Sequence, residues 1–248
     1  MSAEHFSHKV HVLYTKEALD HERLEGKVVI VLDVLFATTT IINAFANGAK
    51  TVRPVESEDA ARAVADPLNA ESYVLAGELY AVTLPGFASP APLALAKENL
   101  KEKMLIYSTT NGTVALKKSV GASAIYAGAL INAKSVVEHV IALHPEQTIL
   151  IVCSGSMGNP NLEDICGAGY FVDLLLERRP NSAREYFSDA ALAAHALFKS
   201  EPSVDLLLKS RVGQLMLDRG MENEVQFAAG LSVTSVVPKM EGDVLVSL

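Results

Sequence analysis

The chain has 248 residues, half of them hydrophobic, with a net charge of −8 and two cysteines. At roughly 100 to 200 residues per domain, this length fits one large domain or two small ones, and the apolar content supports a sizeable core and excludes disorder as the main state. The acidic balance argues against nucleic-acid binding, which draws its affinity from Lys and Arg, and Cys153 and Cys166 lack the framework of a disulfide or zinc scaffold. No apolar run approaches the roughly 18 residues of a membrane span, and the polar start resembles no signal peptide, so a cytoplasmic protein without membrane partners is expected.

In chain order, the first strong element is the apolar run Val28–Asp33, which predicts a strand buried on both faces. The Thr run caps a helix over Thr39–Ala46, stopped by Asn47-Gly48. Strands are predicted over Thr51–Val55 and Ser72–Leu75 with a helix over Ser57–Ala65 between them, and Ala76–Pro92 reads as one long irregular segment. A helix over Pro90–Lys101 leads to strands Met104–Tyr107 and Ser123–Tyr126. A helix over Asn132–Leu143 and the strand Thr148–Val152 follow. Asn161 opens a helix whose apolar positions recur to Leu176 before Pro180. Helices over Ser182–Lys199 and Val204–Arg219 and strands over Ser232–Val237 and Asp243–Val246 complete the pattern. The expected fold is α/β: a mixed, partly parallel sheet flanked by helices, in one domain over 1–248, with a smaller helical sub-lobe from about 161 as the one internal division.

Three strands end in polar clusters: Asp33 with Thr38-Thr39-Thr40, Ser108–Thr113, and Cys153-Ser154-Gly155-Ser156. Ligands of open α/β sheets gather at the carboxyl ends of strands, so these clusters are candidates for one pocket. Ser108–Thr113 offers hydroxyls, an amide and a glycine as a neutral cradle for an anion, or else a capped turn. Asp33 ends an apolar run and needs donors or a cation, which leaves a structural role and metal or water handling both open. Glu163 and Asp164 suit the first turn of a helix, where Asn161 and Asp164 can close a capping box. Adjacent helical residues point about 100° apart, so at most one of the two is a good ligand. Glu78 is a further ligand candidate or a solvated loop acid. His195 reads as a satisfied core histidine. The phosphatase patterns Cys-x5-Arg and Asp-x-Asp fail at Asn159 and Leu35, and no Walker loop or Gly-x-Gly-x-x-Gly is present.

At these same clusters the chain resembles the 2-phosphosulfolactate phosphatase family, Mg²⁺-dependent enzymes of the coenzyme M and sulfolactate pathways. The resemblance rests on Val31-Leu32-Asp33-Val34-Leu35 with Ala37-Thr38-Thr39-Thr40, and on Ser108–Thr113 with Ala115-Leu116. It is extended by Gly77-Glu78, Pro85-Gly86-Phe87, Ser89-Pro90, Leu162-Glu163-Asp164 with Gly167-Ala168-Gly169, and Val236-Val237-Pro238. It implies hydrolysis of a small anionic phosphate monoester with Mg²⁺, by water or through an aspartyl-phosphate, and leaves a homo-oligomer open. The catalytic candidates are then Asp33, Thr39 and Asn111; the substrate-binding candidates are Thr38, Thr40, Ser108, Thr109, Thr110 and Gly112. Asp33, Glu78, Glu163 and Asp164 are the metal candidates, not all at once. The chain departs from the family pattern at Phe36 and Leu79, where Arg is usual, at Ala88 in an Asn-Ser-Pro, and at Ser232, where an acid is usual. These departures keep a second reading open, a homologue that binds a small anionic metabolite without turning it over.

Overall fold

A computed structural model of the chain describes residues 9–178 and 186–248. The described strands are β1 (Val10–Leu13), β2 (Lys27–Leu32), β3 (Thr51–Val55), β4 (Tyr73–Leu79), β5 (Val82–Thr83), β6 (Met104–Ser108), β7 (Ala124–Gly128), β8 (Thr148–Cys153), β9 (Pro238–Glu241) and β10 (Val244–Ser247). They form one sheet in the order β1-β8-β2-β7-β9-β10-β3-β6-β4-β5. The neighbours β1, β8, β2 and β7 run parallel, as do β3, β6 and β4. Between these two parallel halves lies the antiparallel hairpin β9–β10, which pairs with β7 on one side and β3 on the other. The fold is therefore α/β, with a mixed, mostly parallel sheet.

The helices are α1 (Ala37–Ala46), α2 (Glu58–Ala65), α3 (Pro92–Leu95), α4 (Gly112–Lys118), α5 (Ala133–Leu143), α6 (Leu162–Glu177), α7 (Asp189–Phe198), α8 (Ser203–Lys209), α9 (Arg211–Asp218) and α10 (Glu222–Ala228). None among the described residues is long and apolar enough to cross a membrane.

The alternation of side chains along β2 divides the core. Val28, Ile30 and Leu32 join α5, α6 and α7 through Val136, Phe171 and Ala191. Val29 and Val31 face the other way, onto α1 and β6 through Ile41 and Tyr107. Four strands separate β2 from β6, so a flat sheet with strands about 4.8 Å apart would hold them roughly 24 Å from each other. Yet a methyl group placed on Gly112, just after β6, would stand 2.6 Å from Oδ2 of Asp33, just after β2. The sheet thus curls around α1 until the two strand ends meet. A third apolar cluster, built by α8, α9 and α10 through Leu206, Met216 and Val225, reaches back to Val34 and Leu35 beside Asp33.

Several boundaries differ from the sequence reading for local reasons. β1 interrupts its apolar residues with His11 and is short, and α4 is hidden inside a polar cluster. The helix expected over Pro90–Lys101 shrinks to α3, whose Leu93 and Ala94 N–H groups are taken by the Glu224 carboxylate. The helix expected over Val204–Arg219 breaks at Ser210, whose hydroxyl caps α9 by accepting from Gly213 N–H at 2.9 Å. Ser232–Val237 is not a strand: Ser232 and Thr234 donate sideways to Leu130 and Ile131 carbonyls, and pairing begins at Pro238. The helix read from Ser182 starts at Asp189, capped by Ser188; residues 182–185 and the stop at Pro180 lie outside the described residues.

Candidate active site

The loop from β2 to α1 presents one carboxylate. The Thr38 hydroxyl accepts from Asp33 N–H and donates to Asp33 C=O, both at 2.9 Å, and Thr38 N–H donates to the same carbonyl at 3.0 Å. With its backbone so fixed, Asp33 receives the Ala37 N–H on its carboxylate and keeps a partly exposed edge. Thr39 donates to Val34 C=O and Thr40 to Pro90 C=O, each at 2.7 Å. The expected substrate-binding Thr38 and Thr40 and catalytic Thr39 therefore have their hydroxyls closed onto backbone in the fully buried first turns of α1.

The second loop follows β6. Thr109 and Thr113 cap α4 reciprocally: each side-chain oxygen accepts the other residue's N–H, at 3.2 and 3.1 Å. The capped-turn reading thus describes this pair. Thr110 and Asn111 are held differently. Thr110 N–H donates to Glu78 Oε1 at 2.6 Å, while its hydroxyl oxygen accepts from Tyr80 N–H. Asn111 Oδ1 accepts from Lys16 Nζ at 2.9 Å. Glu78 is no solvated loop acid. It is 7% exposed at the end of β4, and its second oxygen accepts Ala81 N–H at 2.5 Å. Gly77 beside it belongs to the strand because any side chain would strike the Ser108 carbonyl, 2.3 Å from the position of a Cβ.

The third loop joins β8 to α6. Asp164 accepts from Val34 N–H at 2.9 Å and Gly155 N–H at 3.1 Å, tying this loop to the first. Its capping box with Asn161 does not form, because Asn161 Oδ1 instead takes the Ser156 hydroxyl at 2.8 Å. Glu163 is 2% exposed beside Ser210, whose hydroxyl donates to Leu207 C=O at 2.8 Å.

The loops enclose a cavity of about 180 Å³ that brings together Asp33, Glu78, Thr109, Thr110 and Asn111, with Phe36 and Arg211 also in its wall. Ser108 lines an adjoining recess with Glu78 and Thr110, and Glu163 lines another. Thr38, Thr39, Thr40, Gly112 and Asp164 stand behind the wall as its framework. Two cations escaped the sequence reading. Lys16, 6% exposed in the short 3₁₀ turn Lys16–Ala18, left no signal, whereas Ser210-Arg211 carried one, a capping serine inside an apolar helix pattern.

Burial pushes the Asp33 carboxyl from 3.8 up to about 7; Glu78 and Glu163 add to this, while the Ala37 N–H and Lys16 oppose it. Burial likewise raises Glu163, and it raises Asp164 with help from Asp33 and Glu163. Such a surplus of buried acid suits a cation brought in from outside. Among the described residues no group of three or more His, Cys, Asp or Glu closes around a metal position. The donor set fits the other mode of Mg²⁺ binding, through one or two carboxylates with water and substrate oxygens filling the shell. Asp33 would be the first such carboxylate; both Glu78 oxygens already accept backbone N–H groups, which leaves Glu78 fewer lone pairs to offer.

The family model described as 2-phosphosulpholactate phosphatase matches residues 13–243. The chain belongs to the 2-phosphosulfolactate phosphatase family. It is 36% identical over 232 residues, 93% of this chain and 92% of the relative, to the protein named probable 2-phosphosulfolactate phosphatase in Carboxydothermus hydrogenoformans. A protein of the same name in Clostridium novyi is 31% identical over 93% of this chain and 96% of its own length. That of Caldicellulosiruptor saccharolyticus is 42% identical over 74% and 75%. Membership makes the chain a phosphoric monoester hydrolase of the 2-phosphosulfolactate phosphatase family, and three of its departures from the family pattern fall in unlike places. Phe36 lines the Asp33 cavity. Leu79 is 53% exposed in the adjoining recess, and Ser232 lies on α5, accepting from Lys134 N–H and bonded to Tyr170.

Proposed function

We propose that this member of the family hydrolyses 2-phosphosulfolactate to 3-sulfolactate and phosphate with Mg²⁺. The observation that carries the reading is the convergence of Asp33, Thr110 and Asn111, from two halves of the sheet, on one cavity in a chain matched by the family model almost throughout. Mg²⁺ would be held at Asp33, where it would supply positive charge to the phosphoryl oxygens. Around it, each polar group has its orientation set from behind. Asn111 has its carbonyl engaged by Lys16, so its NH₂ is the end left to donate to a phosphoryl oxygen. Thr110 uses its oxygen as an acceptor from Tyr80 and retains its O–H to donate. Asp33 would hold Mg²⁺ through one carboxylate oxygen, and its other oxygen would accept the proton of the attacking water. The water oxygen bonds to phosphorus, the P–O ester bond breaks, and the leaving alkoxide takes a proton from solvent.

A homologue that binds without turnover is the less supported reading, since Lys16 and Arg211 bring positive charge to a site that Phe36 leaves without one. The test is phosphate release from 2-phosphosulfolactate by the purified protein with Mg²⁺, with a chelator, and after Asp33→Asn. The expected results are turnover with Mg²⁺, loss on chelation, and a loss of about 100-fold or more in the variant with its melting behaviour kept. Absence of turnover in the wild type, or indifference to Asp33, overturns the proposal.

A further inference from the structure

Two open volumes meet at Arg211. The Asp33 cavity has this residue in its wall, and so does a larger recess of about 600 Å³; Ser156 and Asn161 are likewise common to both. None of the ion pairs among the described residues includes Arg211. Its guanidinium donates instead to Ser156 Oγ, whose hydroxyl donates on to Asn161 Oδ1 at 2.8 Å. One donor is thereby fixed, which orients the planar fork, while other N–H groups remain for a ligand. The acid facing it is Glu163, 2% exposed, whose carboxyl is raised by burial and pulled down by the guanidinium. Lys209 stands at the recess too, paired with Glu201.

A substrate whose phosphoryl group occupies the Asp33 end must place its remainder toward this side, because Asp33, Thr110 and Asn111 hold the other. The geometry points to Arg211 as the residue that binds the acid group the substrate does not transfer, with the recess beyond it open to that end of the molecule. This rests on the phosphatase reading above and adds a direction to it: phosphoryl at Asp33, carboxylate or sulfonate at Arg211. A guanidinium is suited to either, since both present two oxygens in a plane that its fork can match.

The experiment compares wild type, Arg211→Gln and Arg211→Lys on three substrates with Mg²⁺: 2-phosphosulfolactate, 2-phospholactate and 4-nitrophenyl phosphate. It also titrates sulfolactate and inorganic phosphate into each protein. For Arg211→Gln the expected result on 2-phosphosulfolactate is a KM raised about 10- to 100-fold with kcat little changed, and on 4-nitrophenyl phosphate, which has no second acid group, a several-fold smaller effect. Arg211→Lys should recover part of the loss. Sulfolactate affinity should fall in parallel while phosphate affinity holds. A matching loss on 2-phospholactate assigns the contact to the carboxylate, and a spared 2-phospholactate assigns it to the sulfonate. An equal loss on all three substrates, or wild type binding sulfolactate no better than Arg211→Gln, overturns the inference. Because the titrations need no turnover, a wild type inactive on 2-phosphosulfolactate that still shows the sulfolactate difference would sink the catalytic reading and leave Arg211 in place.

Discussion

Gly112 lies against Asp33 so closely that a methyl group on its Cα would sit 2.6 Å from the Asp33 Oδ2 atom and 2.4 Å from Ala37 Cβ. Neither neighbour can yield cheaply: Ala37 is the first residue of α1, and Asp33 is fixed through its own backbone by Thr38. Gly112→Ala must therefore shift the carboxylate or lift α4. We expect a stability loss of about 1 to 3 kcal/mol by thermal melting, and a fall in turnover of 10-fold or more, since displacement by even 1 Å costs about 100-fold. Unchanged turnover would mean that the close approach has no part in placing Asp33.

The raised Asp33 carboxyl makes stability depend on pH in a definite direction. The folded value of about 7 lies above the ordinary 3.8, so the folded protein binds the extra proton between these values and is stabilised by it. That contribution is full below about pH 4 and is lost as pH rises through 7. In chelator, the melting temperature of wild type should fall between about pH 4 and 7 more steeply than that of Asp33→Asn, which has no charge to bury. Parallel pH profiles for the two proteins would contradict this.

Lys16 acts behind the cavity wall. Its ammonium joins Asn111 Oδ1 to the Ser154 carbonyl at 3.2 Å and pairs with Glu17 at 3.1 Å. Lys16→Met keeps the apolar stem and deletes those bonds, leaving Asn111 free to flip its amide. The expected outcome is a kcat reduced about 10-fold or more with a stability loss of about 1 to 3 kcal/mol. A change in stability with kcat intact would confine Lys16 to holding the fold.

Thr40 and Thr110 look alike in the sequence but should separate in experiment. Thr40→Val removes a bond to Pro90 C=O, which also accepts the Tyr107 hydroxyl, so a stability loss of about 1 kcal/mol with unchanged KM is expected. Thr110→Val removes an O–H facing the cavity and should raise KM instead. Steady-state kinetics beside thermal melting of both variants checks the pair.

The apolar run ending at Asp33 was legible because two-sided burial in a parallel strand leaves a continuous signature, and nothing else in the chain explains a charge placed there. The cluster at Ser108–Thr113 was legible as polar chemistry, but residue type alone could not separate Thr109 and Thr113, whose hydroxyls bond each other's N–H groups, from Thr110 and Asn111, which keep donors for the cavity. Glu78 was displaced into a loop because Gly77 looked like punctuation, when its missing side chain serves a close approach to β6. Lys16 reaches the site only through long-range placement, which leaves no spacing to read, whereas the capping Ser210 marks the helix break that brings Arg211 there.

The position of β9–β10 has a consequence for the chain's integrity. These strands come last in sequence yet lie in the middle of the sheet, bridging β7 and β3. A chain interrupted before Pro238 could still assemble both parallel halves, but each would present a raw edge where the hairpin belongs. Unpaired edges of that kind recruit strands from other chains. Loss of this short tail should therefore convert the enzyme into a self-associating species, with the carboxylate of one half and the amide of the other no longer forced to share a cavity.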